Sequence, residues 1–238
     1  MSTSTPPVAA IDCGTNSIRL LIASLDEQGG LVEHARKLEL VRLGQGVDAT
    51  GAFHPDALQR TFDACEKYRH LIEASGCDTI RFVATSAARD VSNRDEFFAG
   101  VRKALGVDAE VIAGSEEAGL SFAGAMSGIE VSEEPVLVID CGGGSTELVL
   151  GRETKIDSQV SLNIGSVRLR ERFLHDDPPT AEQIDEARTY VREMLTECPV
   201  DMATAHTVVG VAGTVTSLSA INQGLTEYDR AKVHRSVL

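Results

Sequence analysis

The sequence predicts an α/β fold made of two similar halves, each a mixed sheet flanked by helices, and three observations carry this expectation. The segment IDCGTNSIRLLIA (Ile11 to Ala23) returns without gaps as IDCGGGSTELVLG (Ile139 to Gly151), matching at Ile, Asp, Cys, Gly, Ser and Leu. Three strand-like segments precede the first helix, after which helical and strand patterns alternate, the order of a mixed α/β sheet. Aromatic residues make up only 4% and Trp is absent, so the core must be aliphatic, which suits buried strands between helices.

Taken in order, Val8 to Asp12 reads as a buried strand, Ser17 to Ser24 as a second and Leu31 to Leu43 as a third. His54 to Gly76 reads as a helix: Pro55 suits its first turn, Leu58, Phe62 and Cys65 form a stripe, and Gly76 stops it. Thr79 to Ala84 is a strand, Arg94 to Leu105 a helix, Ala109 to Ile112 a strand and Ser115 to Ser127 a helix. The polar stretch Gly128 to Pro135 then separates two domains, 1–128 and 129–238, expected to face each other. In the second, Val136 to Asp140, Ser145 to Leu150 and Lys155 to Leu162 are strands, and Thr180 to Cys198 is a helix opened by a Thr180/Gln183 capping box. Thr207 to Val211 is a strand and Gly213 to Asn222 a helix.

Charge and composition exclude several functions. A net charge of −14 lacks the basic footprint of a nucleic-acid binder and requires any polyanion site to be locally basic. Five cysteines without a CxxC pair suggest neither a disulfide framework nor zinc, and a reducing cytoplasm is the expected location. The N-terminus has no signal-peptide pattern and no apolar run suits a membrane span. His34, His54, His70, His175, His206 and His234 show no metal-ligand spacing.

The residues that can carry chemistry cluster at glycine turns. Gly142-Gly143-Gly144-Ser145-Thr146 exposes successive backbone N–H groups that can cradle a phosphate, with two hydroxyls at hand. Gly14-Thr15-Asn16-Ser17 can do the same in the first half, and Gly213-Thr214 opens a helix whose N-terminus favours an anion. The loops are neither a Walker A motif nor a dinucleotide fingerprint. Asp12 and Asp140 end strands, where a carboxylate can hold Mg²⁺ through water or simply close its own turn. Glu147 lies just across the hairpin from Asp140, within reach of the same pocket, unless it is an ordinary surface strand residue. On their own, Glu116 and Glu117 read as first-turn acids that stabilise a helix dipole by roughly 0.3–1 kcal/mol. Ser86 and Arg89 lie at a strand exit, and Arg168, Arg170 and Arg172 follow Gly165; guanidinium suits phosphate, though solvated arginine is the commoner case. Cys13 and Cys141 read as small packing residues, not nucleophiles.

AAIDCGTNSIRLLIA, FVATSAARD, VIAGSEEA, VLVIDCGGGSTELVLG, IGSVRLRERF and VVGVAGT occur in the order seen in exopolyphosphatase and guanosine pentaphosphate phosphohydrolase proteins, a resemblance running from Val8 to about Ala220. The wording is most like that of actinobacterial exopolyphosphatases. The resemblance implies two duplicated domains of the actin, hexokinase and Hsp70-like (ribonuclease H-like) class with an interdomain cleft, the C-terminal part of the second domain lying beyond Leu238. It implies Mg²⁺-dependent hydrolysis of terminal phosphate from inorganic polyphosphate or guanosine pentaphosphate, and dimerisation as a possibility. It makes Glu117 the general base, Asp140 a metal holder and Glu147 a group that positions water or metal. It places Asp12, Asn16, Ser17, Arg89 and Gly142 to Thr146 around the phosphates; Gly14, Thr15, Ser86, Gly213 and Thr214 are further candidate phosphate contacts. A nucleotide phosphohydrolase, a kinase of the same fold and a non-catalytic polyphosphate-binding regulator are the alternatives.

Overall fold

Alternation along the first two strands decides the first sheet. Ala9, Ile11 and Cys13 of β1 (Val8–Cys13) and Ile18, Leu20 and Ile22 of β2 (Ser17–Leu25) are buried on one face. The strands pair antiparallel with Cys13 opposite Ile18 and Asp12 opposite Arg19. β3 (Leu31–Leu40) adds outside β2. It stops three residues short of the expected end because Val41 and Arg42 turn back, both N–H groups donating to the Asn16 carbonyl. A short α1 (Val47–Thr50) leads to α2 (Pro55–Ala74), whose N-cap His54 accepts from the Asp56 N–H with Pro55 in the first turn. β4 (Thr79–Ala84) joins β1 in parallel, α3 (Ser86–Arg89) and α4 (Arg94–Leu105) follow, and β5 (Ala109–Val111) pairs with β4. The order is β3-β2-β1-β4-β5.

Helices α2 and α4 cover the buried face, packing Leu58, Tyr68, Ile72, Phe97 and Val101 onto Ile11, Leu20 and Phe82. The fully buried Tyr68 hydroxyl donates to the Ile18 carbonyl at 2.9 Å, tying α2 to β2. Tyr68→Phe is therefore expected to lower stability by about 1 kcal/mol, the net value of one such bond, in a urea titration.

The computed structural model describes residues 5–89 and 91–238. It divides into Met1–Ile112 and Ala113–Leu238. The second unit begins with α5 (Gly114–Gly128), which the sequence reading assigned to the first half. Ala118 and Phe122 of this helix bury against Val136, Val138 and Val149, so its apolar side belongs to the second sheet. That sheet comprises β6 (Val136–Cys141), β7 (Thr146–Arg152) and β8 (Lys155–Leu162). After α6 (Ser166–Arg172) and α7 (Ala181–Thr196), β9 (Thr207–Val211) pairs in parallel with β6, followed by α8 (Ala212–Asn222) and α9 (Arg230–Val233). Thr180 and Gln183 form the expected capping box. The order β8-β7-β6-β9 repeats β3-β2-β1-β4, so the sequence repeat is a structural one. Residues of α7 pack on the opposite face from α5, against Leu137, Leu148, Leu150 and Leu162. The small helices α1, α3, α6 and α9 were not anticipated, being too short for a periodic signal.

Candidate active site

Both glycine loops sit where two neighbouring parallel strands end, the usual place for a ligand in an α/β sheet. In the second unit Asp140 of β6 stands beside Val211 of β9 and opposite Glu147 of β7, which in turn stands opposite Ser161 of β8. Asp140, Glu147 and Ser161 thus form one rung across three strands, two positions along from the apolar pair Val138 and Val149. Because side chains alternate faces, this rung shares the α5 side of the sheet. Glu147 is only 1% exposed, which rules out the surface-residue reading. The Ser161 hydroxyl donates to its carboxylate at 2.6 Å. Ser121 of α5 donates to the Asp140 carboxylate. Neither serine was picked out from the sequence, since nothing local marks a hydroxyl that meets an acid from another element.

Ser121 also places Glu117. The two residues are four apart on α5 and share a helix face. Glu117 therefore lies one turn towards the N-terminus from the contact with Asp140, in the first turn of a helix without a side-chain cap. It is half-buried, whereas Glu116 is exposed.

The loop between β6 and β7 has its carbonyls committed. The Gly142 carbonyl accepts from the Ser166 N–H at 3.0 Å, and the Gly143 carbonyl accepts from the N–H groups of Val167 and Arg168 at 2.9 and 3.1 Å. The Gly144 carbonyl accepts from Arg168 Nε at 2.8 Å. With the carbonyls drawn to α6, no acceptor is paired with the N–H of Gly143 or Gly144 among the described residues. Such a turn can receive an anion. Thr146 corrects the expectation of a second phosphate-binding hydroxyl. Its Oγ1 donates to the Ile164 carbonyl at 2.5 Å, so its single proton holds the loop to the chain leaving β8. Ser145 is buried at the turn, where its carbonyl accepts from the Gly142 N–H.

The first unit repeats this construction. The Gly14 N–H donates to the Ser17 carbonyl, the Thr15 carbonyl accepts from Gly44 and the Asn16 carbonyl from Val41 and Arg42. Thr15 is buried and Asn16 half-buried. Ser86 begins α3 directly after Thr85, whose N–H donates to the Cys13 carbonyl. Gly213 and Thr214 occupy the matching place in the second unit, in the first turn of α8. Asp12 differs from Asp140: Arg19, opposite it in register, forms an ion pair at 3.5 Å. Arg89 Nε donates to the Ile112 carbonyl at 3.1 Å, which fixes the side chain along the end of the sheet. Burial, with Cys65 and Asp12 nearby, pushes the Cys13 thiol well above its usual range, in keeping with a packing role.

Residues 21–236 match the Ppx/GppA phosphatase family. The chain belongs to that family. It is 51% identical over 239 residues to Exopolyphosphatase 2 of Mycobacterium tuberculosis, covering 96% of this chain and 75% of that protein. A crystal structure of an exopolyphosphatase-like protein matches with a TM-score of 0.90 at 48% identity, over 94% of this chain and 71% of that one. The Aquifex aeolicus Ppx/GppA enzyme matches with a TM-score of 0.78 at 35% identity, over 98% of this chain and 76% of that one.

For this Ppx/GppA phosphatase family member, the donor set can be tested against a divalent cation. Among the described residues no group of three or more His, Cys, Asp and Glu side chains is placed to hold a metal ion. Mg²⁺ does not require one, since it keeps several waters and takes one or two carboxylates together with substrate phosphates. Asp140 and Glu147, cross-strand neighbours beside the glycine loop, fit that pattern. Asp12, already paired with Arg19, fits it less well. No helix is long and apolar enough to cross a membrane among the described residues.

Proposed function

We propose that this chain hydrolyses the terminal phosphoanhydride bond of inorganic polyphosphate with the help of Mg²⁺, in a reducing cytoplasm. The observation that carries the reading is a glycine loop with its carbonyls turned away and its N–H groups available, set beside a rung of two carboxylates. The name of the Mycobacterium tuberculosis relative supports the choice of substrate. In this reading the N–H groups of Gly143 and Gly144 receive the oxygens of the terminal phosphoryl group and oppose the charge that grows on them. Asp140 and Glu147 hold the cation, which when bound neutralises phosphate charge. Glu117 accepts a proton from the attacking water. The rest is positioning, as expected when a phosphoryl group passes to water. The loop from Asp12 to Ser17, with Ser86 and Arg89, offers a second group of phosphate contacts.

The test compares phosphate release from long-chain polyphosphate, guanosine pentaphosphate and ATP at equal Mg²⁺, with a parallel arm in EDTA. Polyphosphate is expected to give the fastest release, and EDTA to abolish it. Preference for either nucleotide would move the assignment to a nucleotide phosphohydrolase. Binding of polyphosphate without release from any of the three would make the chain a polyphosphate-binding regulator.

A further inference from the structure

We propose that the segment leaving the third strand of each sheet is a brace that holds the neighbouring glycine loop in its anion-receiving shape. Gly165 and Arg168 are its positioning residues in the second unit, and Gly44 is the counterpart of Gly165 in the first. This rests on the proposed phosphate chemistry, but on a part of the chain which that reading leaves unused.

The argument begins with backbone approach. A Cβ at Gly165 would lie 2.5 Å from the carbonyl carbon and oxygen of Gly143 and 2.6 Å from the Gly144 nitrogen. Only a residue without a side chain lets the two backbones lie this close, and rigid backbone cannot yield as a flexible side chain can. That approach allows the first N–H groups of α6, which have no partner within the helix, to take the Gly142 and Gly143 carbonyls. Arg168 completes the set through Nε, at the Gly144 carbonyl. Three successive carbonyls are thereby held on one side. A loop released from α6 could turn these carbonyls towards a phosphate and repel it.

The first unit supplies a second instance. A Cβ at Gly44 would lie 2.2 Å from Thr15 Cγ2 and 3.3 Å from the Thr15 carbonyl oxygen. The Gly44 N–H donates to that oxygen at 2.8 Å. Here Val41, Arg42 and Gly44 do the work of Ser166, Val167 and Arg168, without a helix and with unrelated sequence. In both units a glycine beyond the third strand lies against the loop, at the Gly143 and Gly144 backbone in the second and at the Thr15 methyl and carbonyl in the first, which points to the loop shape as its purpose.

The experiment uses the whole chain and four variants: Arg168→Ala, Arg168→Lys, Gly165→Ala and, as a control on the exposed side of α6, Arg170→Ala. Each is measured by thermal unfolding, by kcat and KM for polyphosphate, and by calorimetric titration with methylenediphosphonate, a non-hydrolysable phosphoanhydride analogue. Arg168→Ala is expected to weaken analogue binding and raise KM about tenfold, the loss of one hydrogen bond from a charged donor, in a folded protein. Arg168→Lys should not restore binding, because an ammonium supplies the charge but not the Nε direction. Gly165→Ala should cost about 100-fold in kcat/KM through displacement of the loop. If it does not fold, amide hydrogen exchange at Gly142 to Ser145 in folded Arg168→Ala reads the same loosening. Full rescue by Lys, an equal loss in Arg170→Ala, or unaltered binding in Arg168→Ala would overturn the brace. If the wild type binds the analogue but releases no phosphate, the functional reading fails, while the effect of Arg168→Ala on binding still decides the brace.

Discussion

Glu117→Gln is expected to reduce phosphate release from polyphosphate by about 10²–10⁴-fold, the range contributed by a positioned general base. Gln keeps the length and most of the hydrogen bonding of Glu but cannot accept the proton of water. The substitution also separates two roles that the sequence leaves mixed. As a first-turn acid, Glu117 contributes about 0.3–1 kcal/mol to the helix whatever its chemistry. A helix-dipole role alone predicts a small fall in the unfolding midpoint and nearly full turnover; a base predicts the same small fall with turnover lost. Because Glu116 is exposed on the same first turn, Glu116→Gln serves as the comparison with the same charge change. Equal turnover in the two variants would remove Glu117 from the mechanism.

Glu147→Gln should come next in size, with turnover lower by about 10²–10³-fold, as when one preorganised charge-stabilising group is removed. The amide oxygen can still accept from the Ser161 hydroxyl, so the rung stays hydrogen-bonded. What is lost is a carboxylate beside Asp140. A ligand that binds only the folded state raises the unfolding midpoint. Added Mg²⁺ is therefore expected to stabilise the wild type more than Glu147→Gln, a readout independent of turnover. An equal Mg²⁺ shift in both proteins would show that Glu147 does not help hold the cation.

Much of this was legible in the residues. The repeated Ile-Asp-Cys-Gly segment anticipated two hairpins of the same construction, and the structure gives both sheets the same order over four strands. Alternation placed the strands to within a few residues, because one face of each must be buried. Seven-residue spacing across a tight turn foretold that Asp140 and Glu147 would be neighbours, and they are paired in register. Local pattern served less well for the boundary between the halves. α5 was placed with the first half because the boundary was read from the polar stretch Gly128 to Pro135 that follows it, and residue types do not record which sheet Ala118 and Phe122 meet.

The sequence by itself determined the strands, the two glycine loops and the acids at their ends, because turn chemistry and alternation act over a few residues. Only the tertiary structure decided that Glu147 is buried, that Ser121 holds Asp140, that Thr146 is tethered to Ile164 and that α6 takes the glycine carbonyls. Each of these is a meeting of segments well apart in the chain, from the 18 residues between Thr146 and Ile164 to the 25 between Gly143 and Arg168, or of a side chain with burial that others create. Such meetings depend on how backbones approach one another in space, and no local pattern of residues encodes that distance.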